Sequence, residues 1–447
     1  MGEQSEHLFC DVVIVGCGVA GLYCALNLPR ELSIIMLAKT TLDECDSMLA
    51  QGGICVQHDA NDYASFFEDT LRAGHFENRR ESVDLMIRAS RSVIDNLVNF
   101  GVDFAQNDDG SLRYTREGAH SRARICYHQD TTGAEITTKL LVAVKQLANV
   151  HILENTCMDD ILTEASVSLR NSQYTRQVSR AKNARERCRG IVAHSDNGRT
   201  LSISANATVW ACGGIGGMYK RSTNFPCLTG DALRIAQTYG IALEHTDYVQ
   251  IHPTSLYTSK PGRAFLISES CRGEGAVLLD ARGRRFTDEL QPRDVVSAAI
   301  EQQMAKEGSD YVRLSFTNVP KNEIMGHFNH IYEHCLTEGY DITQEPIPVV
   351  PAQHYFMGGV HVDRHSATTM SSLYAVGETS CNGVHGKNRL ASNSLLESLV
   401  FAQRAAWDIA RKESLPSPLP QTYSEHPIGA DAKAYEELCM TKEAVCA

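Results

Sequence analysis

Residues 12–15, Val-Val-Ile-Val, form an unbroken β-branched run, which predicts a strand covered on both faces. Gly16, Gly18 and Gly21 then interrupt the apolar pattern before a helix-like stretch, and Ser33-Ile34-Ile35-Met36-Leu37 follows as a second strand. Between 61 and 100, Val83, Met86, Ile87, Ile94, Leu97 and Val98 recur at helical spacing. Further strands are predicted at 191–192, at 205–211 before Cys212-Gly213-Gly214, and at 373–376. From roughly 246 to 350 turns, prolines and polar motifs take over, which predicts a second domain inserted into the first. The polar, basic stretch 166–189 reads as an exposed excursion between strands, and the Pro-rich end after Lys412 as a loose tail. The pattern contains no internal repeat.

Composition narrows the class of protein. With 447 residues and 43% hydrophobic content, the chain can build two or three globular domains. Its 42 basic and 54 acidic residues give a net charge of −12, so nucleic acid and anionic membranes are not expected partners, and an anionic ligand needs a local patch. Fifteen cysteines without a C-x-x-C pair suggest neither a disulfide framework nor a zinc knuckle, and a reducing cytoplasm is expected. The opening MGEQSEHLFCD lacks the basic-then-apolar order of a signal peptide, and the glycines break the one long apolar stretch, so no membrane span is expected.

Candidate chemistry begins at GCGVAG. A G-x-G-x-x-G turn after a strand lets backbone N–H groups and a helix N-terminus approach a pyrophosphate closely. The acid that usually closes the second strand is missing, since that strand ends Leu37-Ala38-Lys39. Two further segments, SMLAQGGI and YAVGE, add a second glycine loop and an acid, Glu378, suited to a ribityl or ribose hydroxyl. Three separated contacts fit an extended dinucleotide. His327, His330 and His334 fall at i, i+3 and i+7 of a predicted helix, but no cysteine or fixed carboxylate completes a ligand set, and no metal is expected. The stretch TREGAHSRAR sets Glu117 among Arg116, His120, Arg122 and Arg124, which reads either as a solvated loop or as part of a site.

Taken in order, GCGVAG, SMLAQGGI, TREGAHSRAR, QIHPTSLY, SESCRGEGA, QPRDVV, PAQHYFMGGV, YAVGE and NRLASNSLLE resemble the succinate dehydrogenase and fumarate reductase flavoprotein family over roughly residues 8 to 410. The resemblance implies an α/β fold: a discontinuous Rossmann-like FAD-binding domain at 1–245 and 353–412, and an inserted α+β capping domain at 246–352. The remaining 413–447 would be a short tail in place of the helical domain that bacterial members of the amino-acid-oxidising branch carry. By the same likeness Gly16, Cys17, Gly18, Val19, Ala20, Gly21, Lys39, Asp46, Ser47, Ala50, Gln51, Gly52, Gly53, Asp231, Glu378, Ser394 and Leu395 would contact FAD. Asp46 stands where the dehydrogenase branch has the histidine bonded to flavin, so non-covalent FAD is expected.

The chemistry implied is hydride removal beside a carboxylate of a C4 dicarboxylate, with a proton passing to a base and both carboxylates held rigidly. Arg389 and His354 resemble the grip on one carboxylate, His252 and Ser268 that on the other, and Arg293 the proton-transfer residue, with Asp294 and Glu269 as relay candidates. Ser268 replaces the family's threonine and keeps the hydroxyl. A buried carboxylate repels succinate or fumarate but attracts a substrate that also carries an ammonium, so Glu117 favours L-aspartate, oxidised to iminoaspartate. Oxygen or fumarate would take the electrons, and a quinolinate synthase of NAD synthesis would consume the imine. The competing readings are a soluble fumarate reductase or succinate dehydrogenase flavoprotein, and a flavin-binding protein without catalysis.

Overall fold

The run at 12–15 lies inside a longer strand, Ser5–Val15, at the centre of a sheet with seven strands among the described residues. The structure, a computed structural model, describes residues 5–164 and 186–415; most of the basic excursion and the tail from 416 lie outside them. Ser5–Val15 pairs in parallel with Ile34–Leu37 on one side and Thr200–Trp210 on the other, and Val150–Leu153 extends the parallel part. Thr156–Thr163 and Cys188–Ser195 continue the sheet antiparallel. The returning strand, Leu373–Ala375, joins Thr200–Trp210 in parallel opposite Thr208–Trp210. Strand Thr200–Trp210 therefore changes neighbour along one edge, from Cys188–Ser195 to Leu373–Ala375.

Period-two geometry explains the unbroken apolar run. Val12 and Ile14 point into a core shared with helices Val19–Asn27, Thr132–Lys145 and Asn393–Lys412, whereas Val13 and Val15 enter a second core around Trp210 and helix Asp231–Tyr239. Each such buried side chain contributes roughly 1.5–3 kcal/mol. The extension back to Ser5 escapes a hydropathy reading because backbone pairing with Thr200–Ala205 holds it, and Phe9 on it is exposed.

Residues 249–356 form an antiparallel sheet in the order Val249–Leu256, Ile347–Phe356, Val312–Ser315, Val277–Leu279. Helices Arg293–Glu307, Lys321–His327 and Asn329–Thr337 belong to the same segment, whose apolar core includes Leu278, Ile300, Leu314 and Phe328. No helix among the described residues is long and apolar enough to cross a membrane.

The helical spacing over 61–100 is present as two helices, Asp62–Ala73 and Arg80–Asn99, separated where His75 and Phe76 take positive φ. One sequence expectation needs correction. His327 sits on a different helix from His330 and His334, so the three share no helical face; His327 stacks on Phe328, and the other two lie against Phe265. Among the described residues no group of three His, Cys, Asp or Glu side chains is placed to hold a metal ion.

At Gly16, φ is +116° and an added Cβ would lie 2.0 Å from the Ala211 carbonyl oxygen. Gly16→Ala is expected to lower stability by about 2–4 kcal/mol, measured by denaturant unfolding, because neither the backbone conformation nor the sheet-edge contact can yield cheaply.

Candidate functional site

The carboxyl ends of the parallel strands open into one long cavity of about 1690 Å³, counting its mouth, that runs from the Gly16 turn to Arg293. At the near end helix Val19–Asn27 starts at Gly18, without a side-chain cap from that residue. Ser47, from the one-turn helix Asp46–Leu49, accepts a hydrogen bond from Val19 N at 3.1 Å, and a Cβ on Gly18 would sit 3.0 Å from its Oγ. Gly21 does not line the cavity; its missing Cβ lets the helix pack on the Gly16 carbonyl, which such an atom would approach to 2.0 Å. Lys39 reaches Asp231 at 2.7 Å and Thr229 at 2.8 Å, which ties the end of the second strand to helix Asp231–Tyr239.

Midway along the cavity two carboxyls approach from distant segments. Asp46 Oδ1 accepts from Phe225 N and Glu378 Oε1 from Phe356 N, both at 2.9 Å, while Asp46 Oδ2 has no partner among the described residues. Withdrawal from water pushes both acids above the usual carboxylate range, and the Asp46 charge raises Glu378 further. Gln51 Oε1 is also buried without a partner. The wall here includes Cys17, Ala20, Ala50, Gly53 and Leu395. An extended dinucleotide fits this arrangement: a glycine-lined helix start for phosphates, then unmatched polar atoms for hydroxyl and ring donors.

The far end is dominated by cations. Arg389 is buried, stacks over the Tyr355 ring at 4.6 Å, and donates from Nη1 to Ser394 Oγ at 3.0 Å. It makes no ion pair among the described residues, and its Nε has no partner. Burial and the nearby Arg293 lower its pKa to about 10. Arg293 opens helix Arg293–Glu307 and is held by Glu269 Oε2 at 2.6 Å and Gln250 Oε1 at 2.9 Å. Burial alone would raise the Glu269 carboxyl, but Arg293 and Arg272 bring it below the usual range.

His252 and His354 meet edge to face with ring centroids 5.0 Å apart. Thr254 N donates to His252 Nδ1 at 3.2 Å, which leaves the buried Nε2–H without a partner among the described residues, and His354 Nδ1 lies 2.7 Å from Thr223 Oγ1. Burial, reinforced by Arg293, holds both imidazoles well below their ordinary pKa, so both are neutral donors or acceptors at pH 7. Ser268 caps helix Glu269–Gly273 beside them.

Glu117 is buried in the same space. Its Oε1 accepts from Ser270 Oγ at 2.7 Å and its Oε2 from Ser392 Oγ at 2.5 Å. Burial, then the Glu269 charge, raises its pKa, while the two hydroxyls and Arg293 oppose that rise. The cations beside it in sequence go elsewhere. Arg116 and Arg122 are exposed, and Arg124 pairs with Asp62 at 2.9 Å and Asp69 at 2.7 Å and contacts His120. The loop is thus braced by Arg124 and leaves its one carboxylate to the cavity.

The seven side chains singled out for chemistry therefore surround one end of one cavity, and those singled out for the dinucleotide, Gly21 excepted, line the rest. Asp294 is not among them: it faces outward and bonds His75 at 2.9 Å. In its place Arg272, three residues after Glu269, lies 3.6 Å from that carboxylate; the helical i, i+3 spacing in SESCRGEGA was the available signal. Ser270, Ser392, Thr223 and Arg263 were also missed.

A family described as FAD binding domain matches residues 11–395. The chain is similar to the L-aspartate oxidase of Clostridium perfringens, 46% identical over 89% of this chain and 86% of that one. It is likewise similar to the L-aspartate oxidase of Pseudomonas aeruginosa, 39% identical over 93% and 78%. Among solved structures it resembles E. coli quinol fumarate reductase FrdA, with TM-score 0.81 and 27% identity over 98% of this chain and 75% of that one.

Arg389→Met is expected to leave thermal stability unchanged or higher, because it removes a buried charge that has no counter-ion. The same change is expected to weaken dicarboxylate binding at least about 10²-fold, read by ligand-induced changes in flavin absorbance.

Proposed function

The chain belongs to the L-aspartate oxidase family of FAD-binding proteins, and from that premise we propose that it oxidises L-aspartate to iminoaspartate. The single observation that supports this reading most is Glu117, a buried carboxylate at the cationic end of the cavity that is bonded by two hydroxyls, whereas its neighbour Glu269 is taken up by Arg293 and Arg272. Succinate and fumarate gain nothing from it, whereas L-aspartate offers two carboxylates for the cations and one ammonium for Glu117.

Arg389 and His354 grip one carboxylate, and His252, through its unpartnered Nε2, and Ser268 grip the other. Glu117 holds the ammonium and is the acceptor for the proton that nitrogen must shed as its bond to C2 becomes double. The Gly16 turn, Ser47, Asp46 and Glu378 would hold FAD along the groove, and the chemistry it would supply there is acceptance of the hydride leaving C2. Oxygen, giving peroxide, or fumarate, giving succinate, then takes the electrons. In the fumarate direction Arg293 is placed as the acid at carbon, and Glu269, at 2.6 Å with Arg272 behind it, relays a replacement proton from solvent. A carboxylate, Asp46, lines the groove where the dehydrogenase branch has its flavin-linked histidine, and FAD is accordingly dissociable. The imine is unstable in water, and its consumer would be a quinolinate synthase, which places the reaction first in NAD synthesis.

The test is to mix the FAD-loaded protein with L-aspartate without oxygen and follow flavin absorbance. Bleaching, with peroxide on readmission of air or succinate on addition of fumarate, is expected; an unbleached flavin would overturn the reading. Glu117→Gln is expected to lower kcat/KM for L-aspartate about 10²-fold while fumarate reduction changes only a few-fold. The ammonium needs ionised Glu117, whose pKa is raised, so wild-type kcat/KM for L-aspartate should fall on acidification beginning above the ordinary carboxylate range.

A further inference from the structure

The Glu117 carboxylate receives its only two hydrogen bonds among the described residues from hydroxyls far away in sequence. Ser270 lies on helix Glu269–Gly273, and Ser392 immediately precedes helix Asn393–Lys412 with φ +61°. We propose that Ser270 and Ser392 are positioning residues that together keep Glu117 ionised and aimed at the substrate ammonium, and so set the preference for an amino dicarboxylate over a plain one. The inference rests on the reading of Glu117 as the ammonium contact and adds the device that makes that contact selective.

A hydroxyl has one proton to donate, and both of these are committed to Glu117. Ser268 Oγ lies 3.2 Å from Ser270 Oγ and keeps its own proton for the substrate carboxylate, while the Ser270 proton goes to Glu117. The remaining surroundings are mixed in sign. Glu269 repels the ionised form, while Arg293, Arg272 and Arg389 favour it, and Cys55 is a neutral neighbour held above its usual pKa by burial. Arg293 and Arg272 are already engaged by Glu269, and Arg389 is directed to a substrate carboxylate, so the hydroxyls are the groups dedicated to Glu117. Without them the buried carboxyl takes up a proton at higher pH, its charge is lost, and the ammonium loses its counter-ion. A plain dicarboxylate would lose nothing and would gain from the removed repulsion.

The close fit supports a positioning role. A Cβ on Gly52 would fall 2.3 Å from Glu117 Oε1 and 3.3 Å from Ser392 Oγ, so the loop that lines the dinucleotide groove packs directly against the clamp. The carboxylate is thereby held from three segments of the chain.

The experiment compares FAD-loaded Ser270→Ala, Ser392→Ala, Glu117→Gln and the Ser270→Ala/Glu117→Gln double variant. It reads KM and kcat for L-aspartate from pH 5 to 9, and the dissociation constant of succinate from flavin absorbance. For Ser270→Ala, a KM for L-aspartate raised at least about fivefold is expected, with kcat less affected, the acid limb moved to higher pH and succinate binding equal or tighter. Ser392→Ala should move the same readings in the same direction, and the double variant should match Glu117→Gln alone. Unchanged KM and acid limb in both serine variants overturn the clamp, as does equal weakening of L-aspartate and succinate, or an effect that adds to Glu117→Gln. If Glu117→Gln itself weakens both ligands alike, it is the ammonium reading that fails. If Glu117→Gln is selective and the serine variants are silent, only the clamp fails.

Discussion

A guanidinium buried without a carboxylate partner is costly, and Arg389 is such a group at the heart of this protein. Its neighbourhood adds Arg293 and Arg272, while the acids that could balance them are committed. Glu269 is shared between two arginines, and Glu117 is held by hydroxyls. Burial, reinforced by the surplus of positive charge, explains the neutral histidines, because an imidazole withdrawn from water beside arginines cannot keep a second proton. It also explains why a ligand with two carboxylates belongs there: the anion completes an electrostatic arrangement that the chain leaves unfinished. Among the acids of that chamber in the described residues, Glu117 is the carboxylate bonded by hydroxyls and by no guanidinium.

That arrangement depends on how closely distant strands of backbone can approach. Gly16 sits against Ala211, Gly53 against Cys126, and Gly214 against Glu378; at each position a side chain would collide with an atom closer than 2.5 Å. These contacts draw the dinucleotide groove and the charged chamber into one continuous space. The carboxyls midway along it, Asp46 and Glu378, are tied to backbone N–H groups of two other segments, so the groove is stiffened by polar contacts as well as by apolar packing.

Much of this was legible in the sequence because local patterns carry it. Glycine spacing after a β-branched run marks the phosphate turn, and a histidine or arginine within a recognisable motif marks the chamber. What was not legible is the pairing. Glu117 finds its partners 153 and 275 residues away, and nothing about a serine in SESC or ASNS announces which carboxylate it will serve. Arg124 finds Asp62 and Asp69 on a preceding helix, so neighbours in sequence were poor guides to neighbours in charge. Asp294 lies next to Arg293, yet helical geometry turns it outward while the carboxylate that matters arrives from another element.

Strand Ile347–Phe356 has a consequence of its own. It begins within the antiparallel sheet, carries His354 past the charged chamber, and ends where Phe356 N holds Glu378 in the dinucleotide groove. One rigid rod thus spans both compartments. Were the antiparallel sheet to swing away to admit substrate, the rod would act as a lever on the far compartment and loosen the grip on the dinucleotide. Under such a movement, entry of the small molecule and retention of the large one would be mechanically linked, and a chamber that opened too widely would also shed its cofactor.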